Sequence, residues 1–262
     1  MLLAIDIGNT NIVIGGIKDD QIAFEARIAT DHIKTSDQYG VDIKNILSLF
    51  DVKPSDIEGC IISSVVPPVF NSVRTGVIKV IGKAPMVVGP GIKTGLNIQM
   101  DTPSQVGRDR IVVAVAALAE YKPPLILMDM GTATTLEVVG EGNSYLGGCI
   151  IPGVRISLDA LTSRTAQLPG IRLDRPKKVI GKNTIDCMRS GIMYGTAAMM
   201  DGMLDRLEEE LGAKATVVAT GGMAQFIVPL CHREIKLEKD LLLQGLNILY
   251  KKNLSEKKKA EA

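Results

Sequence analysis

The 262-residue chain has no tryptophan, two histidines (His32 and His232) and four widely spaced cysteines. Aromatics make up 3% of it, so a core must rest on Ile, Val, Leu and Met. So few histidines argue against a His-based metal centre or a Ser-His-Asp triad. The cysteines, Cys60, Cys149, Cys187 and Cys231, form no C-x-x-C pair, and free thiols in a reducing compartment are expected. Neither sign of charge is in excess: 30 Lys plus Arg against 29 Asp plus Glu leaves a net +1. Without a basic footprint, no nucleic-acid partner is expected. The opening residues Met1 to Asp6 show no basic leader. The most apolar run, Ile111 to Ala119, is far shorter than the roughly 20 residues of a membrane span. A cytoplasmic protein with no membrane partner is therefore expected. Two nucleotide motifs are also missing. There is no G-x-x-x-x-G-K-[ST], which closes the P-loop route, and no G-x-G-x-x-G after the first strand, which leaves a Rossmann site unsupported.

What is present is an apolar, globular sequence, 46% hydrophobic with a mean hydropathy of +0.20. Leu2 to Ile7 reads as a strand, then a turn through Gly8-Asn9-Thr10, then a second strand from Ile12. Gln21 to Ala29 reads as a third. Helical spacing covers Ser36 to Phe50, and Pro67-Pro68 opens a helix to about Ile81 after a buried strand at Gly59 to Val65. Gly89 to Arg110 reads as a long loop of the kind that is often functional, followed by a helix over Ile111 to Tyr121. Further on come a strand at Tyr145 to Ile151, a helix from Val154 to about Ser163 and a long helix capped by Asn183-Thr184 and stopped by Gly212. Thr216 to Ala219 is the last strand expected, and the Lys- and Glu-rich residues 251–262 read as a disordered tail. Met199, Met200 and Met203 read as helix-packing residues.

The chemistry gathers at Asp6-Ile7-Gly8-Asn9-Thr10. Glycine lets the backbone approach a polyanion, and turn N–H groups can bond phosphate oxygens. The carboxylate would repel phosphate, so its sensible task is to hold Mg²⁺ or its waters. Alone, such a segment reads equally well as an ordinary Asx turn. It is not alone: strand, turn and strand recur around Asp129-Met130-Gly131-Thr132, which points to a duplicated domain, and Ala219-Thr220-Gly221-Gly222 adds a late Gly-Gly loop. Asp109 reads either as a functional acid or as a helix cap, and Arg108 and Arg110 as solvated charges.

This three-part pattern resembles the superfamily of acetate and sugar kinases, heat-shock chaperone ATPases and actin. Within it the chain resembles type III pantothenate kinases. The motifs that carry the likeness occur in family order: Asp6 to Thr10, Ile62 to Pro67, Gly107 to Arg110, Asp129 to Thr135, Gly147 to Gly153, Asn183-Thr184 and Thr220 to Gly222. The resemblance implies an α/β fold of two related ribonuclease H-like (actin-like ATPase) domains, residues 1–118 and 119–250, with a nucleotide cleft between them. It implies ATP-dependent phosphorylation of pantothenate, the first step of coenzyme A synthesis. The alternatives are a related kinase for another small hydroxy acid, a non-catalytic regulatory relative, or an ATPase switch. It also implies roles. Asp6, Gly8, Asn9 and Thr10 take the ATP phosphates and, at Asp6, Mg²⁺; Thr132 sits at the second phosphate turn; Gly221 and Gly222 flank the nucleoside. Asp109 is the general base, Arg110 pairs with the pantothenate carboxylate, and Gly107 and Met100 border the substrate. Asp129 helps bind potassium or ammonium, and Thr184 reaches the pantothenate site across a homodimer interface. Three positions depart from the family pattern: Met100 to Pro103, where an aromatic and Asp-Asn-Pro are usual; Arg108, where a small residue is common; and Glu137, often Asp.

Overall fold

In the first strand every residue from Leu2 to Ile7 is buried, which marks it as the centre of a sheet covered on both faces. The computed structural model describes the backbone of residues 1–261 and the side chains of residues 1–256. The chain forms two units: Met1–Gly95 with Ser104–Ala119 and Asp240–Ala262, and Leu96–Pro103 with Glu120–Lys239.

The first unit contains β1 (Leu2–Ile7), β2 (Asn11–Lys18), β3 (Gln21–Ala29), α1 (Ser36–Leu49), β4 (Gly59–Ser64), α2 (Pro67–Ile81) and β5 (Met86–Val87). Its sheet runs β3-β2-β1-β4-β5. The β1–β2 and β2–β3 pairs are antiparallel, and β1–β4 and β4–β5 are parallel. Local chemistry sets the ends of the elements. Thr35 and Gln38 form a capping box at α1, and Pro67-Pro68 opens α2, which stops at left-handed Gly82. One face of the sheet, Leu3, Ile5 and Ile7 with Ile62, packs against Tyr39, Ile43 and Leu47 of α1 and Val69, Val73 and Val77 of α2.

After α3 (Arg108–Glu120), the second unit contains β7 (Leu125–Met130), β8 (Ala133–Gly140), β9 (Ser144–Pro152), α4 (Val154–Ser163), α5 (Thr184–Leu211), β10 (Thr216–Thr220), α6 (Ala224–Ile227) and β11 (Lys236–Leu237). A short β6 (Asn97–Ile98) adds an edge, giving β11-β10-β7-β8-β9-β6. Without β6 this sheet repeats the first, strand for strand and direction for direction. The duplication expected from the two D-x-G turns is thus an architectural one. Ile126, Met128 and Met130 pack with Met193, Ala197, Met200 and Leu204 of α5. Met203 lines this core, whereas Met199 is exposed.

Several expectations need correction. Thr216 to Ala219 is not the last strand, since β11 follows it. Gly89 to Arg110 is not loop throughout: it holds β6, and α3 begins at Arg108, so Asp109 lies in its first turn. Nor do the units divide linearly near residue 118. A final helix, α7 (Leu241–Glu261), belongs to the first unit, and it takes in residues 251–261 of the segment expected to be a disordered tail, residue 262 lying outside the described residues. The reason is a set of side-chain anchors that no periodicity reveals. Leu243 packs over Gly15 and Tyr250 over Gly59. Asn247 and Lys251 bond Asp20 at the β2–β3 turn, and the Asn253 side chain both accepts from Lys93 N–H (2.8 Å) and donates to its carbonyl (3.2 Å).

In the second unit the Glu208 carboxylate of α5 is buried, with side-chain exposure of 4%, and meets Lys214 and Arg233 at 2.7 Å each and the Ala215 N–H at 3.1 Å. Burial alone would raise its pKa, but the hydrogen bonds from Lys214, Ala215 and Arg233 outweigh burial and hold it below the usual range. A depressed folded pKa means stability that is present above the unfolded value and lost as pH falls through the folded one. Glu208→Gln should therefore cost about 1–3 kcal/mol at pH 7. In urea unfolding, the gap from wild type should narrow as the pH falls below the ordinary glutamate range.

Candidate active site

In the first unit the site is built where β1 ends. Asp6 is level with Val13 on β2 and with Ser63 on β4. All three lie on the sheet face opposite α1 and α2, because neighbours in register point the same way. Asp6 is 6% exposed and Ser63 is fully buried. The chain then turns through Gly8, whose N–H donates to the Asn11 carbonyl at 3.0 Å, leaving Asn9 and Thr10 exposed at the tip. Thr30, just past β3, fastens this turn: its hydroxyl donates to the Gly8 carbonyl at 2.6 Å and its N–H to the Thr10 carbonyl at 3.0 Å. Asp6, Gly8, Asn9 and Thr10 thus lie at one hairpin end, with Asn9 and Thr10 exposed at its tip.

The start of α3 belongs to the same unit. Asp109 Oδ1 accepts from the Arg110 N–H at 2.8 Å. Gly107 makes room for both side chains, since a β-carbon there would stand 2.5 Å from Asp109 Oδ1 and 3.2 Å from Arg110 Cδ. Arg108 is not the solvated charge expected. It is half-buried, with its guanidinium along Gly89, 3.5 Å from where a β-carbon would be. Gly89 lies just past β5, where the Val88 N–H still bonds the Ile62 carbonyl of β4 at 2.9 Å. The Gly107–Arg110 segment is therefore seated at the carboxyl end of the parallel strands β1, β4 and β5, the edge at which open α/β sheets bind ligands.

The second unit repeats the carboxylate with a different setting. Asp129 is level with Thr135 on β8 and Thr220 on β10, so hydroxyl side chains flank it on both sides where Asp6 has one serine and one valine. The turn is tighter here: Gly131 N–H bonds the Ala133 carbonyl at 3.1 Å, with Thr132 exposed between them. Gly221 closes on this turn with φ +92°, and a β-carbon on it would stand 2.5 Å from Asp129 Oδ1 and 2.6 Å from Met130 N. Gly222 is exposed beside it. Glu137, two residues beyond Thr135 on the same face, is buried and accepts from the Tyr145 hydroxyl, which gives the departure at this position a structural partner. Met100 rests on Gly147 near β9, and Thr184 is exposed in the first turn of α5 beside the capping Asn183.

Ser63, Thr135 and Thr220 lie inside the motifs that carry the family likeness, but sequence reasoning gave none of them a role; their other signal was a polar side chain inside an otherwise apolar strand pattern. Ser63 Oγ and Thr135 Oγ1 are buried without a hydrogen-bond partner among the described residues.

Two α/β units of one topology, each with a strand-end aspartate and glycine turn, define a protein of the actin-like ATPase and sugar-kinase fold. Component A of (R)-2-hydroxyglutaryl-CoA dehydratase from Acidaminococcus fermentans has the same fold, with a TM-score of 0.57 at 17% identity over 95% of this chain and 96% of that one. The family model for type III pantothenate kinase matches residues 2–206. The chain is 43% identical to a type III pantothenate kinase of Moorella thermoacetica, over 97% of this chain and all of that protein. It is 46% identical to one from an Exiguobacterium species, over 97% and 99%. The chain belongs to the type III pantothenate kinase family.

Gly221→Ala tests the second turn. Its left-handed φ and its contact with Asp129 oblige the loop or the carboxylate to move, at about 1–2 kcal/mol for the backbone alone. Calorimetry should show a lowered unfolding midpoint. A wild-type midpoint would refute the packing of Gly221 on Asp129.

Proposed function

We propose that the chain transfers the γ-phosphate of ATP to the primary hydroxyl of pantothenate, giving 4′-phosphopantothenate at the entry to coenzyme A synthesis. The observation that carries this reading is the family match across nearly the whole chain, with Asp6, Asp109, Arg110 and Asp129 all present. ATP is the co-substrate of such a kinase.

Phosphoryl transfer depends on positioning and charge neutralisation more than on covalent chemistry. The exposed Asn9-Thr10 tip in the first unit takes phosphate oxygens; in the second unit Thr132 serves the same purpose and the Gly221-Gly222 loop flanks the nucleoside. Arg110, beside Gly107, pairs with the pantothenate carboxylate, for which its planar fork is suited, and Met100, of the second unit, borders the substrate. Asp109 accepts the proton of the acceptor hydroxyl as its oxygen bonds to the γ-phosphorus. The bond from that phosphorus to the bridging oxygen breaks, and ADP leaves.

Among the described residues no group of three or more His, Cys, Asp or Glu is placed to hold a metal by itself. One carboxylate at a strand end fits Mg²⁺, which keeps waters and shares its shell with substrate phosphates, and Asp6 would hold it. When bound, Mg²⁺ offsets charge on the transferring group. The family resemblance gives Asp129 a potassium or ammonium ion, and Thr135 and Thr220, level with it on the neighbouring strands, place hydroxyl oxygens on the same face. We place Thr184 at a homodimer interface. Val179, Ile180 and Ile185 support this: they stand exposed around it, Ile180 at 80%. Among the described residues no helix is long and apolar enough to cross a membrane.

Asp109→Asn should lower turnover about 10²–10⁴-fold while leaving ATP affinity unchanged. Wild-type turnover in this variant would refute the assignment of the base. Light scattering at working concentration should return twice the chain mass, and a fully active monomer would overturn the role given to Thr184.

A further inference from the structure

Ser63 has no place in the roles above, yet its setting is unusual. It is fully buried in the middle of the first sheet, and its hydroxyl has no hydrogen-bond partner among the described residues. A buried polar group left unpaired is destabilising, and native structures rarely keep one without a use. Its neighbours narrow the use. Ser63 is the register partner of Asp6 on the adjacent parallel strand, one strand spacing away (about 4.8 Å) and on the same face. That face is covered by α7 further back, where Leu243 lies over Gly15 and Tyr250 over Gly59, and α7 in turn packs through Gly245 on Val112 of α3. Ser63 and Asp6 stand at the other end of the strands, next to the Gly8 turn. The neighbouring Ser64 is no substitute: it points to the opposite face and its hydroxyl accepts from the Val66 N–H at 3.1 Å. The unpartnered hydroxyl therefore has one polar neighbour in its own row, the carboxylate.

We propose that Ser63 is a positioning residue for the divalent cation at Asp6, its hydroxyl accepting a hydrogen bond from a cation-bound water. This rests on the reading that Asp6 holds the metal that accompanies the nucleotide. A water polarised by a divalent cation is a strong donor, and a hydroxyl fixed by a central strand holds it without further ordering cost. Mg²⁺ retains several waters, so an outer partner of this kind suits it better than direct ligation would.

The test compares Ser63→Ala and Ser63→Cys with Asp6→Asn, using Mn²⁺ as the probe. Electron paramagnetic resonance would follow Mn²⁺ binding to the protein–ADP complex, and calorimetry would follow unfolding in EDTA and ADP binding in EDTA. Removing a hydroxyl that has no partner should leave the metal-free unfolding midpoint unchanged or raise it. It should weaken Mn²⁺ binding about tenfold and leave ADP affinity in EDTA unchanged. Cys, which keeps the volume but is a poor partner for water, should behave like Ala. A lowered metal-free midpoint, or failure of Ser63→Ala to fold, with Mn²⁺ affinity intact in Ser63→Cys, would make Ser63 a packing residue and overturn the proposal. Unchanged Mn²⁺ affinity in both Ser63 variants would overturn it as well. If Asp6→Asn alone leaves Mn²⁺ affinity unchanged, the reading of Asp6 fails and the proposal with it, a result distinct from failure at Ser63 alone.

Discussion

A carboxylate held just before the end of a central strand, with a glycine turn directly after it, is the constraint on which both halves of this molecule are built. A buried charge is costly unless something compensates it, so the strand must deliver the group to the sheet's edge and no further inward. Asp6 and Asp129 satisfy this in the same way, as the penultimate residues of β1 and β7. The strands on either side hold them in register, and the odd and even faces keep their tasks apart. Leu3, Ile5 and Ile7 serve the core, while Asp6 lies on the opposite face.

Duplication gives two such ends, and the neighbours distinguish them. On β2 the residue level with Asp6 is Val13, whereas on β8 the residue level with Asp129 is Thr135. On the other side Ser63 corresponds to Thr220. One copy thus offers a carboxylate with a single hydroxyl beside it, the other a carboxylate between two hydroxyls. The Gly-Gly loop follows β10 alone, and the α3 start with Asp109 and Arg110 follows the first sheet alone. The same scaffold repeated thus differs by a few residues at strand ends.

Much of this was legible in the residues. The two D-x-G turns, the buried strands and the long capped helix follow from short-range patterns that local energetics decide, and the structure has them where periodicity and caps place them. The helix α7 was not read from the sequence at all, and its last turns were taken for a tail, because what orders it lies far away in sequence: Asp20, Lys93 and Thr94 take the side chains of Lys251, Asn253 and Lys252. The start of α3 was misread for a related reason. Glycine and charge ahead of Ile111 suggest loop, but Gly107 admits the folded-back side chains of Asp109 and Arg110 and the helix begins earlier. Arg108 carried no sign in its own segment that Gly89 would receive it. Ser63 and Thr135 gain meaning only from register, which pairs them with carboxylates on other strands.

The most direct measurement is ADP release from ATP and Mg²⁺ with and without pantothenate, first in potassium and then in sodium buffer. The account predicts release that requires pantothenate and is strong in potassium and weak in sodium. Release that proceeds equally without pantothenate, or none in either buffer, would contradict it.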